Sequence, residues 1–206
     1  MAKSSGSTAR AVLWTFFSAL LISCAQVLYL AFPVMLAAAI HIGVIRFNLL
    51  SPLRTPLDFG LTVRGRRLFG DNKTWRGAVV MIGASASGMA LQQRVRLPAL
   101  ELFDYAAINA WLWGALLGLG FVLAELPNSF LKRQCDVPPG QQARGGTYWL
   151  FTALDQLDSV VGCLAALAIV WSPPWNLVVT ALFLCSLVHI AFNVVFVSLG
   201  LKRTVL

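Results

Sequence analysis

The chain has 206 residues, of which 58% are hydrophobic and 12% charged, with a net charge of +8 and a mean hydropathy of +0.76. Soluble domains run at about 45–50% apolar and 25% charged, so this composition excludes a soluble enzyme with one buried core, and it excludes disorder. A bilayer core about 30 Å thick takes roughly 20 apolar residues per helix, which leaves room for about four to six spans.

In chain order, the first apolar stretch runs from Ala11 to Ile45, broken only by Gln26, Pro33 and His41. It is too long for a signal-peptide core. The expected element is one long helix with Pro33 as its bend. The second run, from Gly77 to Leu91, is rich in small residues (Gly83, Ala84, Ser85, Ala86, Ser87, Gly88), which suits close packing of helices in lipid. The third begins at Tyr105, the fourth at Tyr148 and the fifth at Trp175, with Pro173 and Pro174 turning between the last two. Trp14, Trp75, Trp149, Trp171 and Trp175 stand near the ends of runs, where an interfacial aromatic belt places them. Cys24, Cys135, Cys163 and Cys185 lack metal or redox spacing and read as packing residues. The expectation is an all-α, polytopic integral membrane protein: a bundle of about five transmembrane helices at roughly 14–45, 76–92, 105–126, 148–171 and 175–200, forming one domain over 1–206.

The charges orient the bundle. The loop from Arg46 to Arg76 holds seven basic residues, and Lys132, Arg133, Arg144, Lys202 and Arg203 fall on the same side; Lys3, Arg10, Arg94 and Arg96 fall on the other. Basic residues accumulate on cytoplasmic loops, so both basic loops are expected in the cytoplasm of a plasma-membrane protein. Concentrated in gaps between apolar runs, these cations fit a phosphate-bearing ligand or anionic lipid rather than a nucleic acid.

Ionisable groups within a membrane are costly and mark sites. Asp155 and Asp158 interrupt the fourth run at i, i+3, on one helix face. Two bare carboxylates in a low dielectric repel unless a cation lies between them. A hard divalent ion such as Mg²⁺, shared with substrate phosphates, neutralises them; the alternative is an Arg or Lys from another helix. Glu125 closes the third run and is a candidate third ligand. Asp71 is a further candidate, though it and Asp58 also suit turn caps. Ser129, Lys132 and Arg133 offer a hydroxyl and two cations for a phosphate chain. Around the start of the second helix, Gly70-Asp71-Asn72-Lys73-Thr74-Trp75-Arg76-Gly77 places the donors of Lys73, Thr74 and Arg76 near a helix N-terminus, without matching a P-loop. His189 and Asn193, at i, i+4, fit an interhelical hydrogen bond better than a catalytic base, and His41 joins them as a lone polar residue in an apolar run.

At these residues the chain resembles a known family. Pro56-Leu57-Asp58, the Gly70–Gly77 segment, Ser129-Phe130-Leu131-Lys132-Arg133 and Asp155-Gln156-Leu157-Asp158 are similar to the CDP-archaeol synthases, relatives of the phosphatidate cytidylyltransferases, over roughly Pro33 to Lys202. The resemblance implies a five-helix membrane fold that transfers CMP from CTP to a lipid phosphate with Mg²⁺, releasing pyrophosphate. It implies catalytic roles for Lys132, Asp155 and Asp158. Lys73, Thr74, Arg76, Ser129, Lys132 and Arg133 would hold the nucleotide, and Asp155, Asp158, Glu125 and Asp71 the metal. Gly83 and Gly88 would face the lipid chains. A homodimer is compatible with this reading. The competing one, a small transporter or channel for an anionic solute, fits poorly with a chain that has no internal repeat.

Overall fold

In a computed structural model, the backbone of residues 4–198 and 200 is described, with the side chains of residues 10–198 and 200. Lys3, Lys202 and Arg203, which entered the charge comparison, lie outside the described residues. Helix α1 (Ser4–Arg46) runs unbroken through Pro33 and, at 1.5 Å per residue, extends for about 64 Å. At the expected bend position the Pro33 ring is fully buried and lies against Gly88 of α2 (Trp75–Arg94): a Cβ on Gly88 would stand 3.0 Å from Pro33 Cα. The missing side chain of Gly88 is what lets the two helices meet.

Helices α3 (Ala110–Gln134), α4 (Tyr148–Leu167) and α5 (Trp175–Ser198) complete the bundle. By length and composition, α1, α3, α4 and α5 can each cross a membrane. The less apolar α2 packs between α1 and α3, which buries Ser85 and Gln92 while Ser87 stays exposed. Central to the bundle, α3 packs on α2 and on α4. Glycines allow both contacts. A Cβ on Gly114 would fall 2.6 Å from Ala86 Cα, and one on Gly118 would fall 2.7 Å from Ile82 Cα; on the opposite side, the backbones of Gly120 and Gly162 touch. These are the small-residue contacts by which membrane helices associate.

The third helix departs from the expected 105–126. It starts later because Asn109 caps it, its Oδ1 accepting from the Leu112 amide at 3.1 Å, while Tyr105 is buried in the preceding loop. It also ends later, continuing through Pro127 to Gln134. The lost backbone bond at proline is offset by contacts that the last two turns make with α4. The fourth helix stops at Leu167 rather than 171, and Ala168–Trp171 close as turns.

The 47–74 loop is folded onto one end of the bundle. A two-stranded hairpin, β1 (Thr62–Val63) and β2 (Arg66–Arg67), forms its tip. Its two ends pair, the Leu57 amide donating to Lys73 O at 2.8 Å and the Trp75 amide to Thr55 O at 3.0 Å. Arg66 ties the tip to the C-terminus of α3 through Gln134 O at 2.6 Å and the Asp136 carboxylate. Cations are favoured there by the helix dipole.

Candidate active site

The organising residue of the basic loop is Asp58. Its side chain is completely buried and accepts from the amides of Gly60, Phe69 and Gly70 at 2.9–3.0 Å and from Arg67 Nη2 at 2.7 Å. Burial alone would raise its pKa, but the Arg67 guanidinium and the three amides more than compensate and hold the carboxyl well below the usual range. Asp58 is therefore an anchor that shapes the loop. Asp71 is exposed and paired with Arg67 at 2.6 Å.

This fold sets the backbone of Lys73 and Thr74 at the mouth of α2. Thr74 is the N-cap, its Oγ1 accepting from the Gly77 amide at 3.2 Å, so its acceptor capacity is committed to the helix. The Lys73 ammonium reaches across to Glu125 on α3. Arg76 is buried and directed to the end of α1, with Nη1 3.3 Å from Leu49 O. That contact braces α1 against α2.

The last two turns of α3 meet the middle of α4. Lys132 donates to Asp155 at 2.6 Å and lies 5.9 Å from the Phe151 ring centroid. One turn earlier, Asn128 bridges the two carboxylates: its amide nitrogen donates to Asp155 at 2.7 Å and to Asp158 at 2.8 Å. Asp158 also accepts from the Ser159 amide at 2.6 Å and lies within electrostatic reach of Glu125 and Lys73. Sequence reasoning missed Asn128 because it carries no charge. The available signal was spacing: 125, 128, 129 and 132 share one face of a helix once that helix continues past Pro127.

Ser129 and Arg133 are buried beside this cluster. Arg133 Nε and Nη1 have no protein partner among the described residues. They lie beneath the Gly70 turn, where φ is +98° and a Cβ would stand 2.9 Å from Pro139 and 3.5 Å from Arg133 Nη1. Glycine serves this turn twice, by permitting the left-handed backbone and by leaving room for Pro139. The two basic loops thus touch over a buried guanidinium with unused donors, a good match for phosphate oxygens.

Most of the residues anticipated from sequence therefore gather at one end of the bundle. The four anticipated metal ligands do not gather in the same way: among the described residues, no three His, Cys, Asp or Glu side chains form a metal-holding group. Asp155 and Glu125 are each paired with a lysine, and Asp71 is held at the surface by Arg67.

Beside the cluster opens a cavity of about 480 Å³ between α1, α3, α4 and α5. Its rim is polar, with Asn72, Lys73, Thr74, Glu125, Ser159 and His41; His189 and Asn193 line it too. Below the rim the walls are apolar. Gly83 and Gly88, expected to face lipid chains, are not in the lining: Gly88 is used against Pro33, and α2 contributes only Gly77, Ala78 and Met81.

Comparisons with known proteins agree with this geometry. The family model described as "CarS-like: CDP-archaeol synthase" matches residues 20–206. A CDP-archaeol synthase of Thermofilum pendens is 36% identical over 149 residues, covering 71% of this chain and 64% of that protein. One from Pyrococcus furiosus is 35% identical over 143 residues, covering 68% and 77% respectively, and one from Halobacterium salinarum is 35% identical over 164, covering 71% and 81%. A solved structure of an intramembrane enzyme for archaeal membrane lipids biosynthesis has a TM-score of 0.60 at 25% identity, over 81% of this chain and 92% of its own. The protein is thus a membrane enzyme of the cytidylyltransferase class, acting on a lipid phosphate. The chain belongs to the CDP-archaeol synthase family. The transporter reading finds no support among these relatives.

Proposed function

We propose that the enzyme transfers CMP from CTP to a glycerolipid phosphate whose chain occupies the apolar cavity, and that 1–206 acts as a single catalytic domain. The observation carrying this reading is the junction of a polar-rimmed, apolar cavity with the Lys132–Asp155–Asn128–Asp158 cluster. A lipid phosphate held at the rim presents its oxygen to the α-phosphorus of a triphosphate lying between the two basic loops. The new P–O bond forms in line as the bond to the β-phosphate breaks, and pyrophosphate departs. Phosphoryl-type transfer depends on positioning and on charge neutralisation. Lys132 and Arg133 supply charge from α3, and Lys73 and Arg76 from the mouth of α2; Ser129 and Thr74 supply hydroxyl donors.

Asp155 and Asp158 form a pair of carboxylates joined through the Asn128 amide nitrogen, with Lys132 on Asp155, and the pair would exchange those donors for a cation. Such a pair suits Mg²⁺ ligated by one or two carboxylates and completed by substrate phosphates. When bound, Mg²⁺ would neutralise charge on the triphosphate and on the leaving pyrophosphate. Within the same reading the site faces the cytoplasm from the plasma membrane and the enzyme is a homodimer. The exposed apolar surface of α1 from Val12 to Ile22 is compatible with that, and a monomeric mass for the detergent-solubilised enzyme would remove the dimer.

The deciding assay incubates purified enzyme with labelled CTP, Mg²⁺ and matched ether- and ester-linked lipid phosphates. A labelled CDP-lipid is expected, with the relatives' names favouring the ether series; no CDP-lipid from any member overturns the reading. Lys132→Ala should lower kcat/KM for CTP about ten- to a hundredfold, the value of one charge-assisted contact. Sidedness is tested with single cysteines and an impermeant reagent. Positions 72 and 141, in loops that meet at the site end, should label only from the cytoplasm, and position 98, at the opposite end, only from outside.

A further inference from the structure

The end of the cavity away from the charged cluster is lined by aliphatic residues that are backed by aromatic rings. Its deepest wall residues, Val27, Leu30, Leu117, Leu167 and Ala181, are all buried. Nearer the rim, Ala38, Ile42, Val188 and Phe192 are only half-buried. The same five deep residues belong to the bundle's main core, together with buried Tyr105 and the flanking Tyr29, Phe103, Trp113 and Trp171. Phe103 sits at the centre of that group: its ring is stacked on Tyr105 at 4.6 Å and lies 4.5 Å from Trp113 and 5.2 Å from Trp171. The Tyr105 ring is in turn 5.4 Å from Tyr29. The 99–109 segment, with no helix of its own beyond one short turn, thus brings Phe103 and Tyr105 to the far end, where they interlock with Trp113, Trp171 and Tyr29. Stiff, close-packed aromatic cores resist the displacement that an overlong ligand would require.

We infer that this far end is a chain-length ruler: Val27, Leu30, Leu167 and Ala181, backed by the rings around Phe103, set the longest lipid chain that the enzyme accepts. The inference rests on the lipid-chain reading of the cavity. On α1, the distance from His41 at the rim to Val27 at the floor is 14 residues, or about 21 Å of helix rise. An extended chain advances roughly 1.2 Å per bond, so a main chain of about 16–18 carbons fills the depth. Branching methyls widen such a chain without lengthening it, so the ruler reads main-chain length in ether and ester lipids alike.

The test measures kcat/KM for lipid phosphates whose main chains run from about 10 to 22 carbons, taking the long-to-short ratio within each purified variant so that partial loss of fold cancels. For the unaltered enzyme the ratio should fall once the main chain exceeds about 18 carbons. Ala181→Leu and Val27→Phe, which raise the floor, should move the fall to shorter chains and lower the long-to-short ratio about tenfold or more, since each unaccommodated methylene costs roughly a factor of four. Leu30→Ala, which lowers the floor, should move it to longer chains. Ala38→Trp, high in the cavity, is the control for the underlying reading and should depress every chain that passes it. If Ala38→Trp depresses turnover but the fall stays at one length in all three floor variants, the ruler is overturned while the cavity remains the lipid site. If Ala38→Trp changes no lipid's kcat/KM, the cavity does not hold the chain, and both ideas are lost.

Discussion

Asp158→Asn is expected to cut CTP turnover by about 10²–10³ or more while leaving the melting temperature of the detergent-solubilised enzyme nearly unchanged. Asp158 makes no ion pair among the described residues; it accepts from Asn128 and from the Ser159 amide. An asparagine there can keep an acceptor for the former, and removing a charge that faces Asp155 and Glu125 relieves repulsion. On the proposed reading it loses negative charge placed for the triphosphate and its cation, and preorganised charge is the largest lever in this kind of chemistry. Asp155→Asn should behave differently. It strands the part-buried Lys132 ammonium, and breaking a buried pair from one side costs about 3–5 kcal/mol. Both variants lose activity, but only Asp155→Asn should also lose stability. A variant pair with the same melting temperature would show that the Lys132–Asp155 pair carries no structural weight.

The second large effect lies outside the cluster. Asp58→Asn should release the basic loop. A neutral side chain loses the ion pair to Arg67 and weakens the acceptor on which the amides of Gly60, Phe69 and Gly70 converge, a loss of about 2–3 kcal/mol. Hydrogen exchange would read this directly: those three amides should lose roughly 30- to 150-fold protection, with α3 and α4 unaffected. Because the loop positions Lys73 and covers Arg133, KM for CTP should rise in parallel. The same residue gives the loop its response to acid. Since the folded-state pKa lies below the unfolded value, the stabilisation is complete above the ordinary carboxylate range and is lost progressively as pH falls below it. Loop protection in the unaltered enzyme should therefore decline under acid, and that dependence should vanish in Asp58→Asn. Equal acid sensitivity in both proteins would assign it to another carboxylate.

Sequence alone established the membrane class and the helical bundle, and it picked out most of the charged residues that the fold gathers at one end. It could do so because a bilayer makes two things conspicuous: apolar runs of spanning length, and carboxylates or lysines that such runs would otherwise exclude. Asp155, Asp158, Glu125 and Lys132 stand out against apolar neighbours for that reason, and the order of motifs around them was enough to identify the family. Tertiary structure decided the partners. Whether a carboxylate meets a metal, a lysine or an amide depends on how helices are rotated about their axes, and local sequence does not specify that rotation. Hence the pairing of Asp155 with Lys132 and of Glu125 with Lys73, and the bridging role of uncharged Asn128, became visible only when α3 was seen to continue through Pro127 and lie along α4. The apolar cavity is a second case. The small residues of α2 suggested a surface for lipid chains, but glycine at a helix crossing serves equally well to admit a neighbouring helix, and Gly88 is filled by Pro33. The cavity arises instead between α1, α3, α4 and α5 with one turn of α2 at its mouth, a property of the packed bundle that no single stretch of sequence carries.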